Sequence, residues 1–255
     1  MKTLKEHIIE GLKIGTKTKV NIHKYHPKSK DELLELIEDL IKERGENADL
    51  NDIDTSEITD MEDLFTSVTF NGDISAWDVS NVTTMKMMFY HSIFNGDISG
   101  WDVSNVEDMS AMFYHSKFNG DISDWDVSKV KDMSSMFYES DFTGENGDIS
   151  KWNVSNVKDT YSMFMFSKFN GDISKWDVSK VKNMNRMFYE SDFTGEHGGI
   201  SKWDVSNVTN MGSMFSRSKF DGDISDWNVS KVKHALDFVI SNSKLEKNPP
   251  KWIKK

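Results

Sequence analysis

The 255 residues contain no cysteine. That excludes a disulfide scaffold, thiolate zinc sites, cysteine nucleophiles and a lipid-modified cysteine anchor. Proline is scarce, with three residues, and glycine is held to fifteen; neither composition is that of a disordered chain of low hydrophobicity. No run approaches 18 consecutive apolar residues, so no transmembrane helix is expected. Residues 1–15 do not read as a secretory signal, because Glu6, His7 and Glu10 interrupt any apolar stretch. As written, the chain is therefore expected to be cytoplasmic or associated with a particle. Positive charge is in deficit: 31 Lys and Arg face 42 Asp and Glu, a net −11. A chain this acidic repels nucleic-acid phosphates, so nucleic acid is not an expected partner.

What is abundant is tryptophan in a fixed rhythm. Trp77, Trp101, Trp125, Trp152, Trp176, Trp203 and Trp227 are evenly spaced, except that the steps into Trp152 and Trp203 are longer by the same small amount. Internal repetition at a fixed period sets the fold and is read first. The unit is F-N-G-D-I-S-x-W-D-V-S-N-V-x-x-M-x-x-M-F-x-x-S. The two long steps come from three-residue insertions at 143–145 and 194–196, beside glycine, where a loop can bulge without disturbing its neighbours. Residues 53–65 are a degenerate unit without Trp, and 232–238 carries Ala235 and Leu236 at the Met position. Atypical end units are what a stack of repeats needs to close its core.

The apolar spacing predicts a local structure. Trp77 and Val79 are two apart with Asp78 between them, which predicts a short strand. Met85, Met88 and Phe89 stand at i, i+3 and i+4, which predicts a short helix. Asn71, Gly72 and Asp73 predict a turn. The expectation is an α/β repeat solenoid, a leucine-rich-repeat-like stack of short parallel strands and short helices over residues 51–240.

The I-x-x-W-x-V-x-x-V rhythm followed by M-x-x-M-F is similar to that of the BspA-like leucine-rich-repeat surface proteins. The F-N-G-D-I-S-x-W-D-V-S-N-V wording resembles their Trp-containing branch, found in mycoplasma and other bacterial lipoproteins and surface proteins. The resemblance spans residues 53–240 and recurs seven times. It implies a non-catalytic stack used for binding or adhesion, located by likeness at a cell surface. With residues 1–50 included, the chain also resembles proteins encoded by gut bacteria and their bacteriophages.

Residues 1–50 have a different texture, with ten basic and ten acidic residues; the whole −11 falls on 51–255. Leu4, Ile8, Ile9 and Leu12 predict a short amphipathic helix, and alternation around Val20 and Ile22 predicts a strand. Ser29 and Glu32 fit a capping box before an apolar face of Leu33, Leu34, Leu36, Ile37, Leu40 and Ile41, ending at Gly45. So small a helix-strand-helix unit has no independent core. It reads as a small α/β cap on the open end of the stack, or else as a docking module. Residues 241–255 read as a basic tail with Lys244, Lys247, Lys251, Lys254 and Lys255.

Several columns of side chains are candidate sites. Asp78, Asp102, Asp126, Asn153, Asp177, Asp204 and Asn228 lie between inward Trp and Val and should project outward. Carboxylates stacked about 5 Å apart repel one another, so something must offset the charge. Local bonds to Ser and backbone N–H groups are the first reading, a partner-binding stripe the second and a calcium ladder the third. A second column, Asp73, Asp97, Asp121, Asp148, Asp172 and Asp223, broken by Gly199, reads as turn residues. His91, His115 and Glu139 stack in adjacent units, but no fourth ligand is evident and a solvated surface is the simpler reading. Tyr90, Tyr114, Tyr138 and Tyr189 form an aromatic row suited either to packing or to protein and glycan contact. The Trp and Met rows read as core.

No nucleophile elbow, P-loop or dinucleotide fingerprint is present, and no cofactor or metal is implied. The expected function is a non-catalytic binding module for a protein or surface glycan, in adhesion or scaffolding. The alternative is a structural or accessory component of a larger particle such as a phage virion, docked through residues 1–50. A metal-dependent polysaccharide enzyme is a distant third. The oligomeric state is open.

Overall fold

The computed structural model describes residues 23–241 together with 245, 246, 250 and 252. The helix expected around Leu4, Ile8, Ile9 and Leu12, the Val20 and Ile22 portion of the expected strand, and the tail lysines all lie outside the described residues.

Helix α1 (Lys30–Arg44) opens where its cap chemistry dictates. Ser29 is extended, and its hydroxyl accepts the Glu32 N–H at 3.2 Å, while the Glu32 carboxylate accepts the Lys28 N–H at 2.7 Å. Asp31 and Glu32 sit in the first turn, and Lys42 and Arg44 in the last, each favourable to the helix dipole. Gly45 ends the helix at φ +90°, its N–H returning to the Ile41 carbonyl at 2.8 Å. Leu33, Ile37 and Leu40 are buried in the same core as the repeats, so α1 is packed as the first layer of the stack. Arg44 holds Asp52 through both carboxylate oxygens at 2.9 Å, tying α1 to the chain that follows.

The repeats do not build the expected α/β solenoid. Among the described residues, the helical elements with described bounds are α1 and a 3-10 turn at Ile149–Lys151, and parallel pairing is confined to isolated bridges. No strand forms among them, so the leucine-rich-repeat-like sheet of short parallel strands, the short helices and the α/β character of the N-terminal cap are all corrected here. The cap contributes α1 and two isolated parallel bridges, from Tyr25 to Ile53 and from Asp49 to Asp73.

The reason lies in the backbone. Around Met85, the N–H groups of Met88, Tyr90 and Ser92 donate to carbonyls three residues back, which makes turns rather than i→i−4 helix. Met87 and His91 are left-handed, at φ +54° and +53°. The same two positions are left-handed in the following units, as at Ala111 and His115 or Ser135 and Glu139. A right-handed helix cannot pass through them. Around Trp77 the expected strand is likewise replaced by turns, with Trp77 N–H bonded to the Ile74 carbonyl and Val82 N–H to the Val79 carbonyl. Met85, Met88 and Phe89 still point inward, as do Trp77 and Val79, because these turns preserve the apolar sidedness of the pattern.

Freed from helix bonds, alternate N–H groups reach the next coil. Met85, Met87, Phe89 and His91 donate to the carbonyls of Asp108, Ser110, Met112 and Tyr114 at 2.8 to 2.9 Å. The same four-bond strip recurs at every step from Met61 through Arg217, which ends on the Ile240 carbonyl. Isolated parallel bridges mark one edge of the strip, from Asp60 through Thr84, Asp108, Asp132, Asp159, Asn183 and Asn210 to His234. In a parallel strand, N–H groups point alternately to both neighbours. In this strip all four donors point toward the C-terminal end of the stack and their acceptors toward the N-terminal end.

The core is a column of rings. Phe89, Phe113, Phe137, Phe164, Phe188 and Phe215 are buried and stack face to face, with centroids 5.5 to 5.7 Å apart. Each Trp from Trp77 to Trp227 is buried and its Nε1–H donates to a carbonyl of the preceding coil, as Trp101 does to Ile74 at 3.2 Å and Trp125 to Ile98 at 3.1 Å. The serine that follows the Met-Phe pair is buried too: Ser92, Ser116, Ser140 and Ser167 each accept the N–H two residues ahead. Among the described residues no buried side-chain polar atom lacks a partner.

Candidate interaction faces

The first aspartate column is exposed along its whole length, at Asp78, Asp102, Asp126, Asn153, Asp177, Asp204 and Asn228. Each side-chain Oδ1 accepts the N–H of the serine two residues on, at 3.0 to 3.2 Å, from Ser80 at the first unit to Ser230 at the last. These bonds to the Ser hydroxyl and amide hold the Asp102, Asp177 and Asp204 carboxyls below the usual carboxylate range. The bonds offset the mutual repulsion of the column while the residues themselves stay exposed. The result is a fixed acidic stripe.

The second column has the same local chemistry. Asp73, Asp97, Asp121, Asp148, Asp172 and Asp223 accept the N–H of Ser75, Ser99, Ser123, Ser150, Ser174 and Ser225 at 2.8 to 3.0 Å.

The tyrosine row is a stack. Tyr90 and Tyr114 lie 4.6 Å apart and Tyr114 and Tyr138 4.2 Å apart, nearly parallel. Their faces cover one another, so the edges and hydroxyls are what solvent sees. Burial and the neighbouring Tyr138 hydroxyl push the Tyr114 phenol well above its ordinary value. Tyr189 is separated from this stack by Phe166, which meets Tyr138 and Tyr189 edge-on at 5.6 Å each. Beside the row, His91 and His115 are 4.5 Å apart by ring centroid, and His115 Nδ1 lies 3.3 Å from Glu139. Burial and the His115 charge lower the His91 pKa. Among the described residues, no group of three His, Cys, Asp or Glu side chains has the arrangement to hold a metal.

The two insertions line one side of the stack. Thr143 and Thr194 donate their N–H groups to Asn119 and Asn170, one coil back, at 2.9 and 2.8 Å. Gly144 and Gly195, at φ +85° and +78°, lie over the Phe169 and Phe220 rings so closely that a Cβ would stand 2.8 and 2.9 Å from ring carbons. Between the loops opens a cavity of about 450 Å³ lined in part by Thr143, Glu145, Asp148, Lys168, Asp172 and His197.

Two features escaped the sequence reading. The polar residue before the first Met, as in Asp108 and Asp132, and Asp159 before Thr160 at the same place in its unit, stacks on the bridge column; burial and the Asp132 charge raise the Asp159 pKa. Its signal was present, a polar residue directly preceding the first Met of nearly every unit. The other is Trp252, whose Nε1–H donates to the Ile224 carbonyl at 3.2 Å, the bond every earlier Trp makes. It is an eighth rung, one repeat beyond Trp227, within what reads by charge as a tail.

Coils that repeat at one fixed step, lengthened only where a loop is inserted, and that bond to one another through the same four donors define a repeat protein. The profile of the family described as "Mycoplasma protein of unknown function, DUF285" matches residues 36–144, 115–198 and 190–254, and the chain belongs to that family. No curated protein and no solved structure matches the chain.

Proposed function

We propose that this protein is a non-catalytic binding module that engages a protein or surface-glycan partner, in adhesion or scaffolding. The observation that carries the reading is the exposed carboxylate stripe at Asp78, Asp102, Asp126, Asp177 and Asp204, each fixed by its serine. A stripe pre-ordered in the free chain loses little side-chain entropy on binding, and many weak contacts along it add up. Its sign suits a basic partner, through charge complementarity that salt weakens. The wording shared with BspA-like surface proteins supports the same reading.

The test replaces the five aspartates by asparagine. Asn153 and Asn228 already make the serine bond, so the fold tolerates the change. Partners cross-linked to the intact chain should be lost from the five-asparagine variant and should weaken with salt. Equal capture by both chains, or hydrolysis of a glycan by the intact chain, would overturn the proposal.

A further inference from the structure

The chain has no cysteine, so no disulfide can tie one coil to the next. Coils that contact only their neighbours can open locally, one at a time. The tyrosine row places other chemistry at the same joints. Tyr90, Tyr114 and Tyr138 follow the core residues Phe89, Phe113 and Phe137 at one position in three successive coils. All three are half-buried. Their main chains are fixed to one another, since the Tyr114 and Tyr138 carbonyls accept the His91 and His115 N–H groups at 2.8 and 2.7 Å. The Tyr114 and Tyr138 rings lie 4.2 Å apart by centroid and 4° from parallel, while Tyr90 and Tyr114 lie 4.6 Å apart at 21°. The Tyr138 hydroxyl acts on the Tyr114 phenol, so these two rings point the same way. In parallel rings that point the same way, each carbon lies about as far from its counterpart as the centroids do. The other tyrosines lack this arrangement. Phe166 stands edge-on between Tyr138 and Tyr189, and neither Tyr25 nor Tyr161 meets another tyrosine ring among the described residues.

We propose that Tyr114 and Tyr138 are an oxidative cross-linking site, joined ring to ring when a haem peroxidase with hydrogen peroxide removes one electron from each. Tyr114 is held as the neutral phenol, so its hydroxyl proton leaves with the electron. Each oxidation leaves a radical shared between the phenol oxygen and the Cε carbons beside it. Such radicals couple through their ring faces, which is how this pair is stacked. A Cε–Cε bond forms. The hydrogen on each joined carbon then passes through water to the phenol oxygen of its own ring, restoring both hydroxyls and both aromatic rings. The two electrons and two protons removed reduce one hydrogen peroxide to two waters, so atoms and charge balance. The product is a covalent staple between adjacent coils. It closes a loop one coil long and restricts the unfolded chain as a disulfide would. The pair is separate from the aspartate stripe, so either proposal can fail alone.

The test treats the dilute full chain with a haem peroxidase and one equivalent of hydrogen peroxide. Dityrosine fluorescence should appear in a product that stays monomeric on a denaturing gel. After tryptic cleavage, mass spectrometry should find residues 87–117 joined to residues 132–151 with the loss of two hydrogens. Tyr114→Phe keeps a ring in the stack but cannot couple, so the fluorescence should fall about tenfold or more. Tyr138→Phe should remove the joined peptides, and Tyr189→Phe should change nothing. Unchanged melting of the untreated variants shows the fold intact. The oxidised parent should unfold at higher urea than before treatment, and oxidised Tyr114→Phe should not. No dityrosine, equal fluorescence from Tyr114→Phe, or a link between Tyr90 and Tyr114 without the joined peptides would overturn the proposal. So would coupling only between chains, through Tyr25 or Tyr161.

Discussion

The left-handed residues make a prediction with an unusual sign. Ala111 is left-handed at φ +54° and half-buried, in the middle of a strip whose N–H donates to Ser134 at 2.8 Å. A side chain in that conformation costs about 1–2 kcal/mol that glycine does not pay. Glycine in turn costs about 0.4–1 kcal/mol through the freedom of the unfolded chain. The difference favours Ala111→Gly by about 0.5 kcal/mol. Ser213 lies four coils away at the same φ of +54°, too distant to couple, so Ala111→Gly with Ser213→Gly should give about 1 kcal/mol. In a chain of this size that raises the melting temperature by about 2–4 °C. Ala111→Val should do the reverse, losing about 1 kcal/mol or more, because a β-branched side chain is least compatible with this region. Urea titration at unchanged slope is the assay. A glycine variant less stable than the parent, or a neutral valine variant, would refute the claim that these turns rather than helix or strand form the repeat.

Phe113 stacks between Phe89 and Phe137 with no exposed surface, so Phe113→Ala should cost about 3–5 kcal/mol by urea titration; a loss below about 1 kcal/mol would mean the rings are not a packed column. Trp125→Phe removes the indole bond to the Ile98 carbonyl, which still accepts the Trp101 N–H, and leaves part of the ring's space empty; thermal melting should show about 1–3 kcal/mol lost. Asp159 has its pKa raised by burial and the Asp132 charge, so its contribution is favourable at low pH and is lost as pH rises through the folded value. Asp159→Asn should therefore stabilise the chain at pH 7 and change little near pH 3; equal effects at both would contradict this. Asp54 has the opposite sign. Its folded pKa is lowered to about 2, first by the Ser56 hydroxyl and also by the Ser56 amide and His26. The stability it supplies is full above the unfolded value near 4 and disappears toward pH 2, so Asp54→Asn should flatten the acid limb of the stability curve there.

The sequence alone determined the repeat and what each unit buries, but not where the repeat stops, since Trp252 adds a rung within residues that read by charge as a tail. Trp, Ile, Val, Met and Phe at fixed offsets leave one inward side whatever the backbone does between them, and the likeness of successive units forces each coil to meet its own copy. The outward column from Asp78 to Asn228 and the common side of the two insertions follow from the same arithmetic. Membership of a mycoplasma repeat family was legible for the same reason, seven copies being hard to mistake. Tertiary structure decided the backbone. Met85, Met88 and Phe89 are spaced as a helix would space them, yet turns with left-handed Met87 and His91 present the same face. Those turns win because alternate N–H groups then bond to the next coil, a partner that no local pattern contains. The same bonds give the stack its direction. They also lay the Tyr114 ring flat against Tyr138, a contact between coils that neither coil contains by itself.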